Sequence, residues 1–384
     1  MSMNVAILGI GLYPFGRHDG VSAMEMGVEA ANAALRDAGV SWKQVQLAFA
    51  GSLETLQPDA MIKYLGLTGV PFTTLFNGCA TGGNLLLNAA NAVVAGQGDV
   101  ALVVGLDKHP RGAFSVGATL EGLGLGQWYG TTGLALNPQF FAMKTRRYMH
   151  DHGITEDCLH RTAVKAFRNG SLNPNAWRRT ALGYDEIANS PLVCDPLRKY
   201  HFCSPSEGAV AMVLCRADAA ARFTSKAIQL RADVFRTRLY GAFETLSPSK
   251  PVKDVPSPTV QASRAAFEMA GVGPEDIDVV QVQDTEVGHE VMHLAENGFC
   301  KDGEQEALVR DGATAIDGRI PVNTDGGLMA NGEPIGASGL RQIHEVCVQL
   351  RGAAGARQIP RPVRTGYTQV YGFPGVSCVT ILSR

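Results

Sequence analysis

The sequence predicts an α/β fold assembled from one unit used twice, and three observations carry that reading. Short apolar strands alternate with helical stretches along the chain, which calls for sheets covered by helices. Ala33-Ala34-Leu35-Arg36-Asp37-Ala38-Gly39-Val40 is matched by Ala265-Ala266-Phe267-Glu268-Met269-Ala270-Gly271-Val272. Each is a helix end stopped by glycine, and a polar turn and a strand follow: Val45-Gln46-Leu47-Ala48-Phe49 in one case, Ile277-Asp278-Val279-Val280-Gln281 in the other. Two helices bracketed by glycine, Gly83 to Gly96 and Gly339 to Gly352, then correspond in the same order. Ordered correspondences of this kind imply a duplication, with the halves meeting near residue 225.

Val5-Ala6-Ile7-Leu8 opens the first half as a strand, preceded by neither a basic region nor an apolar leader. Gly9-Ile10-Gly11 follows, but Pro14 stands where a dinucleotide fingerprint needs its third glycine, so a strand-ending turn is the simpler reading. The most informative segment comes next: Phe76-Asn77-Gly78-Cys79-Ala80-Thr81-Gly82-Gly83, directly before an apolar helix. Glycines allow tight geometry and close approach of a ligand. A thiol at a helix start feels the positive end of the peptide dipoles, which favours the nucleophilic thiolate. A small buried cysteine that only packs is the alternative. The stretch 112–189 breaks the strand–helix rhythm with a glycine-rich segment, Gly117 to Gly133, and two helical segments. It reads as an insertion folding over the core, suited to substrate or subunit contacts. The expected organisation is 1–111 and 190–225 for the first half, 112–189 for the insertion and 226–384 for the second half.

Composition narrows the function. With 45% hydrophobic and 18% charged residues and a net charge of −2 over 384 residues, the chain is an ordinary folded enzyme-like protein. It has no basic patch of the sort nucleic acid requires, and no apolar run long enough for membrane insertion. Eight cysteines are scattered without a CxxC pair, so neither a disulfide framework nor a zinc knuckle is expected, and a cytoplasmic location follows. His289-Glu290-Val291-Met292-His293 fits the H-E-x-x-H pattern of zinc peptidases, but the expectation is a helix after the Asp284 loop and no metal site. In the second half, Asn331-Gly332-Glu333-Pro334-Ile335-Gly336-Ala337-Ser338-Gly339 stands where the Cys79 turn stands in the first. A pseudo-twofold packing of the halves would bring the two helix starts, and their loops, together.

These residues carry a resemblance. The Cys79 turn, Gly105-Leu106-Asp107-Lys108, Cys203-Ser204-Pro205-Ser206-Glu207-Gly208-Ala209, Val280-Gln281-Val282-Gln283-Asp284, the run from Asn323 to Gly339 and Tyr371-Gly372-Phe373-Pro374-Gly375 together resemble the thiolase superfamily. Within it, the chain is most similar to sterol-carrier-protein-type thiolases and lipid-transfer-protein-like acetyl-CoA acetyltransferases. The resemblance implies a duplicated thiolase fold, five-layered αβαβα, with the loop insertion in the first half, and a homodimer. It implies an acyl-CoA C-acyltransferase with Cys79 as nucleophile, a coenzyme A thioester as substrate and no resident cofactor. Ser247 falls where such proteins line the pantetheine tunnel, and Asn323, Gly332, Gly336 and Gly375 lie in the loops expected to meet substrate and coenzyme A.

The chain departs from its relatives where catalysis happens. Glu333 replaces the histidine of a Gly-His-Pro sequence, Gln283-Asp284-Thr285-Glu286 replaces His-Asp-Cys-Phe, and Cys378 falls beyond the last glycine loop. Thioester exchange needs a thiolate, oxyanion donors and an acid–base group. Glu333 is the expected base if burial raises its pKa, although its charge would also raise that of Cys79; capping the following helix is its alternative role. Asp284, Glu286 and His289 are the other titratable candidates. Lys108, His109, Arg111, Arg146-Arg147 and Arg178-Arg179 are candidates for the phosphates of coenzyme A, or else ordinary surface charges. Gly298-Phe299-Cys300-Lys301-Asp302-Gly303-Glu304 and Asp317-Gly318-Arg319-Ile320-Pro321-Val322 resemble members that work with a small OB-fold, zinc-ribbon partner. Retro-aldol cleavage on a CoA-linked side chain with such a partner, or non-catalytic acyl-CoA or lipid binding, are the alternatives to acyl transfer.

Overall fold

The computed structural model describes residues 3–111, 137–242, 255–373 and 375–384. The strands are β1 (Val5–Gly16), β2 (Leu47–Gly51), β3 (Phe72–Thr74), β4 (Val100–Lys108), a small hairpin β5–β6 (Leu192–Cys194 and Leu197–Arg198), β7 (Glu207–Arg216), β8 (Ile228–Thr237), β9 (Val279–Val282), β10 (Thr365–Gly372) and β11 (Val376–Ser383). Their order in the large sheet, β3-β2-β4-β7-β1-β8-β11-β10-β9, is the duplication made visible. Reading outward from the β1–β8 junction, β1-β7-β4-β2-β3 is answered by β8-β11-β10-β9, and an isolated parallel bridge from Val280 to Val322 stands where β3 would be. Directions match as well: β2 pairs in parallel with β4 and β9 with β10, while β7 and β11 run antiparallel to their neighbours. The two sheets implied by the duplication are joined at one edge by only three residue pairs, Val5 to Ile7 against Leu230 to Ile228.

Burial explains the layering. The Thr81–Val94 and Ile335–Leu350 helices pack on each other inside one core that also takes Val5, Val103, Met212, Leu230 and Val279 from both sheet halves. The Ala23–Ala38 helix covers the outer face of the first half, burying Met26, Ala30 and Ala34 against Leu8, Leu102 and Val213. The Pro258–Ala270 helix does the same for the second, with Ala262 and Ala266 against Val234, Val280 and Ile381. The result is helix, sheet, paired central helices, sheet, helix. Gly39 and Gly271 end the two outer helices in the left-handed conformation, φ 68° each, as the matched sequences predict.

The central helices approach closely because glycine lines their contact. A Cβ on Gly82 would lie 2.5 Å from the Leu340 nitrogen, and one on Gly83 2.7 Å from the Cys378 sulfur. Inside the expected insertion, the Asn137–His152 and Glu156–Ser171 helices pack with the Val287–Glu296 helix around Leu159, Phe167, Val287 and Met329, beside the ends of the central helices. The glycine-rich 117–133 stretch lies outside the described residues.

Candidate active site

The Cys79 turn is fixed from within and from outside. Thr81 Oγ1 accepts from the Asn77 amide at 2.8 Å and donates to the Gly78 carbonyl at 2.6 Å, and Asn84 Nδ2 donates to Asn77 Oδ1 at 2.5 Å. Gly78 sits at φ 59°, and a Cβ there would lie 2.6 Å from the Phe373 carbonyl oxygen. The last glycine loop thus presses on the turn, and only glycine fits the contact. Ser338 Oγ donates to the Cys79 carbonyl at 3.3 Å, tying the turn to the opposite helix.

Glu333 arrives from the second half as the duplication predicts. Its amide donates to the Ser204 carbonyl at 2.8 Å and its carbonyl accepts from the Ser206 amide at 3.3 Å. Its carboxylate, 1% exposed, lies within reach of the Cys79 thiol, accepts from Gln283 Nε2 at 2.9 Å on Oε1 and from the Cys203 thiol at 3.6 Å on Oε2. Gln283 also donates to Thr285 Oγ1 at 3.0 Å. Four segments far apart in sequence therefore meet at one buried carboxylate.

Electrostatics at this point differ from the helix-start expectation. Burial pushes the Cys79 thiol well above its usual range, the Glu333 charge and hydrogen bond push it further, and Cys203 adds to the rise. The helix dipole favours the thiolate only weakly, and desolvation beside a carboxylate outweighs it. Glu333 is itself raised by burial, against the pull of its bonds from Cys79 and Gln283, the His109 charge and the Cys203 bond. The resting pair is therefore a neutral thiol beside a carboxylate of increased basicity. That arrangement can move a proton from sulfur to oxygen as a bond forms at sulfur.

Capping of the central helix falls to other residues. The Ile335 amide donates to His109 Nε2 at 3.0 Å, and the Gly336 amide to Asp107 Oδ2 at 2.6 Å. The Ile335 bond makes Nε2 the acceptor, so His109 carries its proton on Nδ1, which faces Glu54 Oε1 at 3.0 Å. Gly332 (φ 78°) and Gly336 are required by space: their Cβ atoms would meet Ser206 Cβ at 2.7 Å and the Gly51 carbonyl at 2.5 Å.

Other expected site residues have different tasks. Asp284 accepts from the Leu328 amide at 2.8 Å and the Met329 amide at 3.5 Å, so its carboxylate holds the 326–331 turn. Asn323, at φ 52°, accepts from the Val282 amide at 3.0 Å and donates to Glu290 at 2.9 Å, completing the sheet edge that lacks a β3 counterpart. His289 stacks on His293 with centroids 5.0 Å apart and lies 4.0 Å from the Phe141 centroid; it packs within an aromatic group that includes Tyr371. Glu290 is paired with Lys165, and no group of three metal-binding side chains is found among the described residues. Gly375, at φ 114°, closes the last loop, its amide donating to the Gly372 carbonyl at 2.9 Å. Ser247 lies outside the described residues.

The basic candidates are largely committed elsewhere. Lys108 Nζ donates to the His18 and Val21 carbonyls at 2.7 and 2.6 Å, and Arg146 and Arg147 pair with Asp195 and Asp151 on the surface. Arg178 turns inward, donating to the Met329 carbonyl at 3.2 Å and to Ser204 Oγ. Sequence reasoning passed over Cys203 as a site residue, because nothing in its own Cys-Ser-Pro-Ser turn marks which way the thiol points.

The match to known proteins is continuous along the chain. Residues 5–218 fit the family model for the thiolase N-terminal domain, and residues 247–384 the thiolase C-terminal domain-like model. The chain belongs to the thiolase family. It is 33% identical to an acetyl-CoA acetyltransferase of Methanothermobacter thermautotrophicus, over 99% of this chain and 100% of that relative. It is 29% identical to sterol carrier protein 2 of Oryctolagus cuniculus, over 98% of this chain and 71% of that protein. Among solved structures, that titled "Ltp2-ChsH2(DUF35) aldolase" superposes with TM-score 0.87 at 24% identity, covering 100% of this thiolase chain and 98% of the other. The duplicated, layered architecture is accordingly the thiolase fold.

Proposed function

We propose that this thiolase-family chain is an acyl-CoA C-acyltransferase that forms or cleaves a carbon–carbon bond through an acyl thioester on Cys79, with Glu333 as the acid–base partner. The observation that carries it is the meeting of the Cys79 thiol and the Glu333 carboxylate at the tips of the two central helices. As the sulfur attacks the acyl carbonyl, its proton passes to Glu333, and the same group returns it to the departing sulfur. Proton transfer in step with bond formation avoids populating a free thiolate next to a carboxylate. Gln283 orients the carboxylate, and the glycine loops hold sulfur and oxygen in register.

Retro-aldol cleavage without a covalent intermediate is the second reading, favoured by the neutral resting thiol. Coenzyme A release from an acyl-CoA separates the two: acyl transfer predicts release that disappears in Cys79→Ala, whereas release unaffected by that change contradicts it. The proposal extends to a homodimer, supported by β3, a short strand that ends the sheet with one edge unpaired, and to a small OB-fold partner and a cytoplasmic setting. No helix among the described residues is long and apolar enough to cross a membrane.

A further inference from the structure

Cys203 is the buried nucleophilic group that the mechanism above leaves unused. Its sulfur donates to the same carboxylate oxygen edge that serves Cys79, at 3.6 Å from Glu333 Oε2, and its amide donates to the Thr285 carbonyl at 2.9 Å. Both cysteines retain 8% exposure, so neither is sealed off. Their surroundings differ in one respect. Arg178 sits beside Cys203, and its guanidinium bonds only neutral groups, the Met329 carbonyl and the Ser204 hydroxyl; no carboxylate pairs with it among the described residues. Cys79 has no such cation among the groups acting on its thiol. A buried positive charge without an anion is costly unless a negative charge forms next to it at some stage.

Resting on the acyl-transfer reading, we propose that Cys203 is the second proton-transferring thiol of the reaction, the one that carries negative charge between half-reactions, with Arg178 as its counter-ion. In the cleavage direction the Cys79 sulfur bonds to the keto carbon of a 3-oxoacyl-CoA, and its proton goes to Glu333. The carbon–carbon bond breaks with its electron pair on the departing α-carbon, which takes the Cys203 proton and leaves as the shortened acyl-CoA. Cys203, now a thiolate beside Arg178, removes the proton of an incoming coenzyme A thiol. That sulfur attacks the acyl carbon, the Cys79 carbon–sulfur bond breaks with its pair on sulfur, and Glu333 returns the proton to Cys79. Both cysteines end as they began.

The test uses the full-length protein with Cys203→Ser and Cys203→Ala, serine keeping the size of the side chain. Cys79 acylation by an acyl-CoA is followed by intact-protein mass, and carbon–carbon cleavage by coenzyme A-dependent turnover across pH. The proposal expects the Cys79 adduct to form within a few-fold of wild type in both variants. Turnover should fall by about 10²-fold or more, and the wild-type pH limb set by Cys203 should be absent. Arg178→Gln should move that limb to higher pH while leaving adduct formation intact. Turnover within three-fold (~0.65 kcal/mol) of wild type and an unchanged pH profile in Cys203→Ser would overturn the Cys203 assignment alone. A wild-type protein that forms no Cys79 adduct would overturn the acyl-transfer reading, and Cys203 with it.

Discussion

A carboxylate is an awkward neighbour for a reactive thiol, since it accepts the proton yet repels the anion that remains. Burial and the Glu333 charge both hold the Cys79 proton in place, so two measurements should move in opposite directions when the charge is removed. In Glu333→Gln, alkylation of Cys79 by iodoacetamide at pH 7 should speed up, by about tenfold for a pKa lowered by one unit. Acyl-transfer turnover should fall by about 10²–10⁴-fold, the usual worth of an acid–base group. If alkylation and turnover fall together, Glu333 activates the resting thiol directly, and the account of a neutral pair is wrong. The pairing of Cys79 with Glu333 was legible because each lies in the same loop of a repeated unit. The contact of Cys203 with Glu333 was not: the two are 130 residues apart, in segments the repeat does not relate. Asp284 failed as a site residue for a local reason, because two exposed amides of the 326–331 turn take its carboxylate.

At the level of the elements, the loops position the chemistry through glycine. Gly78→Ala would place a methyl 2.6 Å from the Phe373 carbonyl at φ 59°. The expected result is a loss of about 1–3 kcal/mol in unfolding free energy together with slowed Cys79 acylation, measured by denaturant melts and adduct mass. Melts like wild type would show that the loop gives way freely. A second test belongs to the β8–β11 pair, where Asp233 accepts from the Cys378 thiol at 3.2 Å and Thr380 at 3.3 Å, with Oδ2 buried and unpartnered among the described residues. Burial raises this carboxyl to about 8, against the smaller pull of those two bonds. The folded state therefore holds a proton that the unfolded chain releases near pH 4, so the contribution to stability is full below that pH and is lost as pH climbs through 8. Asp233→Asn should flatten the decline of Tm between pH 5 and 8; an unaltered slope would place the titration elsewhere.

Across the whole molecule, the sheet order repeats about the β1–β8 junction, and the matched helix ends and strands in the sequence were sufficient to read it. The missing partner of β3 was not legible, since a single bridge at Val322 leaves no strand pattern to find. That asymmetry leaves β3 as the unpaired edge of the first half, and the proposed homodimer follows from it. Light scattering after size exclusion should give twice the 40.8 kDa chain mass; a monomer at micromolar concentration would contradict that arrangement. The central claim reaches across both halves, since it needs a sulfur from one and a carboxylate from the other to act on one carbonyl. Its most direct measurement is the intact mass of the protein after brief exposure to acetyl-CoA, with peptide mapping of the modified site. The account predicts one added acetyl group on Cys79, absent in Cys79→Ala and discharged by coenzyme A. An unmodified Cys79 in a protein that nevertheless turns over an acyl-CoA would contradict it.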